Sequence, residues 1–226
     1  MRASLDSIRK IRPARIDSVM NGADDDGSGS MGVLEIAEQL AKAKQKPKRS
    51  ILFVWHTAEE KGLFGSAWYS DHPTVPRDSI VACVNIDMIG RGGAFDDVPE
   101  GGLRYLQLLG SRRLSTQLGD LVERVNTERK YGFKLDYQFD ANGHPAQYYC
   151  RSDHYNYARY GIPTVFFSTG GHQDYHMPTD EPQYIDYEHY ARVTNYIGEL
   201  TATLANTAQR LVVDKPKPDP KAPCQQ

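Results

Sequence analysis

The sequence lacks the features that mark several large classes of protein. Its 226 residues contain no apolar run of about 18 residues, and residues 1–15 are basic without the apolar core of a signal peptide. Cys83, Cys150 and Cys224 cannot all pair and show no CxxC spacing, so neither a disulfide framework nor a thiolate zinc site is indicated. Lys and Arg (27) nearly balance Asp and Glu (29), and the net charge of −2 gives no broad positive field for nucleic acid or anionic lipid.

The order of apolar segments predicts an α/β fold. Short continuous apolar runs at residues 51–55, 80–89 and 162–167 have the length of strands that are buried on both faces. Helical spacing of apolar residues predicts helices between and around them, at residues 31–44, 66–70, 114–128 and 184–211. Strands that alternate with helices indicate a largely parallel sheet covered by helices.

One domain accounts for most of the chain. Residues 1–20 mix charged and apolar positions without a strand or helix pattern, and we interpret them as an irregular lead-in. Residues 213–226 contain four prolines among charged residues and are predicted to be a flexible tail that buries nothing. Residues 21–212 form the predicted domain.

Acidic residues and histidines follow the predicted strands. The segment HTAEE at residues 56–60 follows the first strand, Asp87 lies near the end of the second, and GGHQDYH at residues 170–176 follows the third. The glycine-flanked triplet at residues 24–26 precedes the first predicted helix. Because the carboxyl ends of parallel strands meet at one edge of a sheet, we expect these groups to converge. Carboxylates with imidazole suit a divalent cation such as zinc, which also removes the repulsion among the acids.

Each segment alone has an ordinary structural interpretation. The acidic triplet is typical of a solvated turn or a helix N-terminus, and Glu59 with Glu60 is typical of an exposed helix start. A lone His176 is more often a hydrogen-bonded structural histidine, whereas Asp87 in an apolar run fits structural pairing and metal binding equally. Their joint occurrence at strand ends favours a metal site.

Five segments together resemble a known family. NGADDDGSG, TAEEKGLFGS, VNIDMIG, RSDHYNYARYGIPTVFF and YHMPTD, in this order, resemble the M28 zinc peptidases, which include bacterial leucyl aminopeptidases. The resemblance runs from about Asn21 to the last predicted helix. It implies a three-layer α/β sandwich with a mixed, mostly parallel sheet, two zinc ions, a peptide or small amino-acyl substrate, and secreted or periplasmic relatives. It implies no particular oligomeric state.

The resemblance also implies roles for individual residues. Asp25 would bridge two zinc ions, Glu60 and His176 would bind one of them, and Asp87 would bind the other. Glu59 would be the general base, free of metal, and Tyr149 would hydrogen-bond the oxyanion. Four residues would support the ligands from outside the coordination sphere: Asp26, Ser152, Asp153 and His154. We expect Arg151 and Tyr155 to line the substrate pocket, with Tyr157, and the family implies a cis peptide between Asp25 and Asp26.

The sequence departs from the family at its beginning. The family carries a His-x-Asp pair upstream of the acidic triplet, and no histidine precedes Asn21. We therefore expect a chain that lacks the first strands of the family fold, with one complete zinc site and a half-built site at Asp87. Two alternatives stay open, a single-zinc glutaminyl-peptide cyclotransferase and a non-catalytic module of the same fold. The loops at residues 92–102 and 136–147 are expected to set the side-chain preference.

Overall fold

A mixed four-stranded sheet forms the middle layer of the described part of the chain. The computed structural model describes residues 5–16, 18–92 and 102–226. Its strands are β1 (Cys83–Ile86), β2 (Tyr105–Leu109), β3 (Lys134–Asp136) and β4 (Thr164–Ser168), in the order β1-β4-β2-β3. β4 runs parallel to β1 and antiparallel to β2, and β2 runs parallel to β3. Two of these three pairings are parallel, which confirms the predicted mixed, mostly parallel sheet.

Helices cover both faces of this sheet. In chain order they are α1 (Leu5–Ile11), α2 (Gly27–Lys42), α3 (Phe64–Asp71), α4 (Thr116–Glu128), α5 (His154–Ala158) and α6 (Tyr187–Asn206). α6 packs against α2 and α4, while α5 packs against α3, β1 and β4. α4 begins where the Ser115 side chain accepts a hydrogen bond from the Leu118 N–H, and α6 begins at an equivalent bond from His189 N–H to Asp186. No helix among the described residues has the length and apolar character that crossing a bilayer requires.

Alternating residues of β4 separate two apolar clusters. Val165 and Phe167 pack in the larger cluster with α2, α4 and α6, whereas Phe166 points into a smaller cluster that includes Phe139 and Tyr149. Phe167 is fully buried, and burial of such a side chain contributes roughly 1.5–3 kcal/mol. The helix, sheet and helix layers are therefore held by apolar contacts on both faces, as the predicted three-layer sandwich requires.

The first predicted strand is wrong. Residues 51–55 belong to no strand of the described sheet, and Leu52 and Trp55 are 55% and 49% exposed. A groove separates this segment from β1, so its backbone has no neighbouring strand to pair with. An apolar run reveals the preference of a segment for burial but not whether a partner strand lies beside it.

Four elements escaped prediction, and one of them, α5, has only five residues, too few for a helical periodicity. α1 lies within the predicted irregular lead-in, and it has no buried residue that would produce an apolar pattern. β2 is interrupted by the polar Gln107, and β3 has only three residues, too few for a periodicity.

The segment predicted to be a flexible tail is attached to the domain. Cys224 forms a disulfide with Cys150, although the three-cysteine count indicated no disulfide framework. The Gln226 side chain donates to the Phe139 carbonyl, and its backbone carbonyl accepts from Gly143 N–H. Val213 packs against the smaller apolar cluster, so this segment does contribute to burial.

Candidate metal centre

The acidic triplet is fixed at the start of α2. Asp26 caps this helix, since its side chain accepts hydrogen bonds from the N–H groups of Gly29 at 3.0 Å and of Met88 at 3.1 Å. The backbone N–H groups of Asp24 and Asp25 donate to Asp180 at 2.9 and 3.0 Å. The peptide bond between Asp25 and Asp26 is cis, as the resemblance implies. The triplet is thereby tied to the turn after β1 and to the loop before α6.

Asp25, Glu60 and His176 come together beside a cavity that Asp25 and Glu60 help to line. Nε2 of His176 lies 3.1 Å from Oδ2 of Asp25 and 3.0 Å from Oε2 of Glu60. One ligand atom from each residue lies within 4.8 Å of the others, which suits a shared metal ion. The Asp25 side chain is 11% exposed, whereas those of His176 and Glu60 are 43% and 53% exposed.

Residues next to these ligands have unusual backbone angles. Ala58, just before Glu59, has φ 57°, and Met88, just after Asp87, has φ 59°. His176 itself has φ 56°. Non-glycine residues rarely adopt this left-handed region, so the surrounding structure must hold these turns in place.

Asp87 lies directly after β1 and is held by a hydrogen-bonded pair of side chains. The Ser152 hydroxyl donates to Asp87 at 2.7 Å, and the Asn85 amide donates to the Ser152 oxygen at 2.8 Å. Burial raises the pKa of Asp87 to about 6. Glu59, which begins a short 3-10 turn, lines the same cavity as Asp87.

Like charges are concentrated in this region. Burial, with the nearby charges of Asp87 and Glu60, raises the pKa of Asp25 to about 8. Burial also raises the pKa of Glu59 to about 8, with further contributions from the charges of Asp87 and Asp153. Such a cluster of acids is stabilised when a cation is bound, and the set of two carboxylates and one imidazole is one that zinc accepts.

A buried network supports the triplet from behind. Asp24, which is fully buried, accepts hydrogen bonds from Gly90 N–H at 2.6 Å and from the Ser28 hydroxyl at 2.8 Å, and its other oxygen lies 3.0 Å from Nε2 of His172. Arg91 forms a buried ion pair with Asp174, two residues after His172. These contacts connect the triplet to the loop that carries His176.

The cavity behind these ligands has a volume of about 220 Å³. Tyr148, Arg151 and Tyr175 form part of its wall, with Gln107 and Phe166 from the sheet. The Arg151 guanidinium lies 5.1 Å from the centre of the Tyr148 ring and donates to the Tyr175 hydroxyl at 3.2 Å. The Tyr175 ring in turn stacks on His176 at 3.9 Å.

Several predicted site residues lie elsewhere. Tyr149 is 6% exposed and packs in the smaller apolar cluster, with the Arg113 guanidinium 4.3 Å from its ring centre. Its neighbour Tyr148, not Tyr149, is the tyrosine of this turn in the cavity wall. Tyr155 packs edge-on against Tyr149 rather than lining the cavity. The Tyr157 hydroxyl forms a hydrogen bond of 2.9 Å with Nε2 of His56.

His154 and Asp153 also lie outside the cavity wall. His154 is fully buried between the rings of Tyr149 and Phe166, and this burial lowers its pKa to about 3. Asp153 precedes α5, and burial raises the pKa of its carboxyl. Of the two loops expected to set side-chain preference, residues 93–101 lie outside the described residues, and residues 136–147 approach the site only through the neighbouring Tyr148.

Some residues around the metal centre were not predicted from the sequence. His172 and Tyr175 lie in the segment after the third predicted strand, yet only His176 was singled out there. Gln107 lies in the unpredicted β2, and Asp180 belongs to the YHMPTD segment without a predicted role. The signal that could have identified His172, Tyr175 and Asp180 is that they are polar residues within segments already assigned to the site.

Comparison with known proteins places the chain in a family. Residues 2–201 match Peptidase family M28, and the chain therefore belongs to this family. Leucine aminopeptidase 1 of Uncinocarpus reesii is 29% identical over 198 residues, covering 83% of this chain and 46% of that protein.

Solved structures share the fold. The LapA aminopeptidase of Legionella pneumophila superposes with a TM-score of 0.68 and 23% identity, over 86% of this chain and 49% of that chain. A zinc aminopeptidase from Bacillus subtilis superposes with a TM-score of 0.63 and 21% identity, over 88% of this chain and 47% of that chain. The chain spans about half the length of these three relatives.

Proposed function

We propose that this chain is the catalytic part of a zinc-dependent aminopeptidase that hydrolyses the peptide bond next to a free N-terminus. The observation that supports this most is the meeting of Asp25, Glu60 and His176 within 4.8 Å, beside the cavity that Asp25 and Glu60 help to line. These residues come from three distant parts of the sequence, and membership of family M28 gives their meeting a catalytic context.

The donor set fits zinc, and zinc bound there would lower the pKa of a water molecule and polarise the substrate carbonyl. Asp25, Glu60 and His176 would hold the ion. Asp87 lies near enough to raise the pKa of Asp25 and is the candidate ligand for a second ion. Ser152 would keep the Asp87 carboxylate oriented through its 2.7 Å hydrogen bond.

Glu59 is suited to the proton transfers of hydrolysis. It lines the same cavity as Glu60 but is outside the group of three ligands. Burial and neighbouring acids raise its pKa to about 8, so its carboxylate is a stronger base than that of an ordinary glutamate. Glu59 would take a proton from the attacking water and later give it to the leaving amine.

The cavity favours removal of single residues from an end of the substrate. Its volume of about 220 Å³ is smaller than the ~300–1,000 Å³ of common ligand pockets and suits one side chain. Acidic side chains in the cavity wall, Asp87 among them, would attract the ammonium group of a free N-terminus.

A single-zinc cyclotransferase is the second candidate, because the described residues hold one complete group of three ligands. Measuring zinc per chain together with two substrates separates the candidates. We expect cleavage of an amino-acid 4-nitroanilide and no cleavage of its N-acetylated form. Cyclisation of a glutaminyl peptide without anilide cleavage would favour the second candidate, and equal cleavage of both anilides would contradict specificity for a free N-terminus.

A further inference from the structure

The cavity beside the metal centre has a polar residue in the part of its wall that the sheet supplies. Gln107 of β2 and Phe166 of β4 line the cavity there, and both are buried. Side chains of β2 alternate between the faces of the sheet, since Leu106 and Leu108 pack in the larger apolar cluster and Leu109 packs in the smaller one with Phe166. Gln107 therefore lies on the same face as Phe166, which is the face of the cavity.

The Gln107 amide has hydrogen-bond donors that the described residues leave unused. Gln107 is 1% exposed, and its carbonyl oxygen lies 3.4 Å from the Tyr105 hydroxyl, which donates to Asp136 at the shorter distance of 2.9 Å. No group in the described part of the chain accepts a hydrogen bond from the Gln107 amide nitrogen. This nitrogen carries two N–H donors, and a buried polar group without a partner costs free energy. A bound molecule that offers an acceptor oxygen would remove this cost.

The polar residue opposite Gln107 in the sheet is not its partner. Ser168 pairs with Gln107 across the antiparallel strands, but its hydroxyl donates to the Met88 carbonyl at 3.3 Å and accepts from Gly170 N–H at 3.1 Å. Met88 and Phe166 add apolar surface to the same cavity wall. This part of the cavity therefore combines apolar contacts for methylene groups with amide donors for a terminal oxygen.

Arg151 brings positive charge to the same cavity. Its side chain is exposed in the cavity wall and donates to the Tyr175 hydroxyl at 3.2 Å, and it forms no ion pair with any described residue. A guanidinium without a carboxylate partner offsets part of the negative charge of the acidic residues, so the cavity accepts an anionic side chain as well as a neutral one. The chemistry that fits is an oxygen acceptor at the end of a flexible side chain, as in glutamate and glutamine.

We propose that Gln107 determines substrate specificity by donating a hydrogen bond to the oxygen at the end of the N-terminal side chain of the substrate, which is glutamate or glutamine. The inference rests on the proposed aminopeptidase function and names its substrate class. A side chain of similar length that ends in a methyl group, as in methionine, leaves the buried Gln107 donors without a partner. Sites built to hydrogen-bond a substrate group discriminate strongly against an analogue that lacks it.

Binding of free amino acids tests this inference without turnover. L-Glutamine, L-glutamate and L-methionine have identical main-chain groups and side chains of similar length, so a difference in affinity reports the end of the side chain. In calorimetry on the zinc-loaded chain, we expect L-glutamine or L-glutamate to bind at least about tenfold more tightly than L-methionine. The tighter of the two identifies the amide or the carboxylate as the preferred acceptor. Equal or tighter binding of L-methionine, or binding of none of the three, would overturn the proposal.

A matched pair of variants tests the same contact from the protein side. Gln107→Met removes the amide donors and keeps an unbranched side chain of similar length, whereas Gln138→Met makes the same change at an exposed position outside the cavity wall. We expect Gln107→Met to lower the affinity for the preferred amino acid, relative to that for L-methionine, by at least about tenfold. Gln138→Met should leave this ratio unchanged. An unchanged ratio in Gln107→Met would overturn the proposal, and if this variant does not fold, the wild-type ratio still decides the question.

Hydrolysis of the corresponding 4-nitroanilides separates this inference from the proposed function. We expect kcat/KM for the glutaminyl or the glutamyl anilide to exceed that for the methionyl anilide by at least about tenfold. Equal or faster cleavage of the methionyl anilide would overturn the role of Gln107 and leave the aminopeptidase function in place. If no anilide is cleaved but L-glutamine or L-glutamate still binds more tightly than L-methionine, the proposed function is contradicted and the selection by Gln107 is supported.

Discussion

Replacement of Glu59 by Gln separates proton transfer from metal binding. Glu59 and Glu60 are adjacent, but only Glu60 is within the group of ligand atoms shared with Asp25 and His176. The change Glu59→Gln keeps the size and hydrogen-bonding capacity of the side chain while removing its ability to accept a proton. It removes no member of this ligand group, so zinc should still bind with the wild-type stoichiometry.

The magnitude follows from the role of a general base. Loss of a positioned acid–base group typically lowers the rate by 10²–10⁴, which corresponds to about 3–5 kcal/mol in the activation barrier. We therefore expect kcat to fall by at least about 100-fold while zinc content stays at the wild-type level. The matched change Glu60→Gln removes a direct ligand and should weaken zinc binding by more than the ~10–100-fold that loss of a supporting contact costs.

Two measurements on each variant decide the question. Zinc is titrated into metal-free protein in competition with a chromophoric chelator, and hydrolysis of an amino-acid anilide is followed at saturating zinc. Retention of near wild-type kcat by Glu59→Gln would show that Glu59 is not the base. Loss of zinc by this variant, at the level of Glu60→Gln, would show that the roles of the two glutamates are not divided as proposed.

Three further predictions concern other parts of the molecule. His176→Ala should abolish high-affinity zinc binding without unfolding the chain, because this side chain is 43% exposed, and loss of the circular dichroism signal would contradict this. His154 stays neutral in the folded state, so the free energy of unfolding should fall by about 1.4 kcal/mol per pH unit below ~6.5, where the unfolded chain takes up a proton. In urea unfolding, His154→Phe should remove about 2 kcal/mol of the stability loss between pH 8 and pH 5. If the substitution changes stability equally at both pH values, the low pKa of His154 is refuted. Cys224→Ser should raise KM several-fold at unchanged zinc affinity, because its disulfide partner Cys150 lies in sequence between Tyr148 and Arg151 of the cavity wall. Loss of the disulfide should also lower stability by about 2–4 kcal/mol. Cys83→Ser is the control, and an unchanged KM in Cys224→Ser would contradict the connection between the disulfide and the cavity wall.

The gathering of the ligands was predictable only in part from strand topology, because His176 follows β4 whereas Glu60 follows residues 51–55, which form no strand of the described sheet. Asp25, Glu60 and His176 follow or precede elements with clear apolar patterns, and a parallel sheet brings such positions to one edge. The structure brings these three together as the resemblance implied. Their binding of zinc and the role of Glu59 remain proposals.

Other features depend on information that a local pattern does not contain. Whether Tyr148 or Tyr149 points toward the cavity depends on the rotation of a 3-10 turn, and adjacent tyrosines give no signal for that choice. The Cys150–Cys224 disulfide joins residues 74 positions apart, so only the fold shows that they meet. Whether residues 51–55 form a strand likewise depends on a neighbouring strand, and the spacing of apolar residues does not show whether one is present.

The uneven exposure of the three ligands has a consequence for exchange kinetics. Asp25 approaches from the protein interior, whereas Glu60 and His176 approach from the solvent side and are about half exposed. A chelator such as EDTA could therefore contact an ion at this position while Asp25 still holds it. The rate of metal removal should then rise in proportion to chelator concentration, instead of levelling off at the rate of a protein opening step.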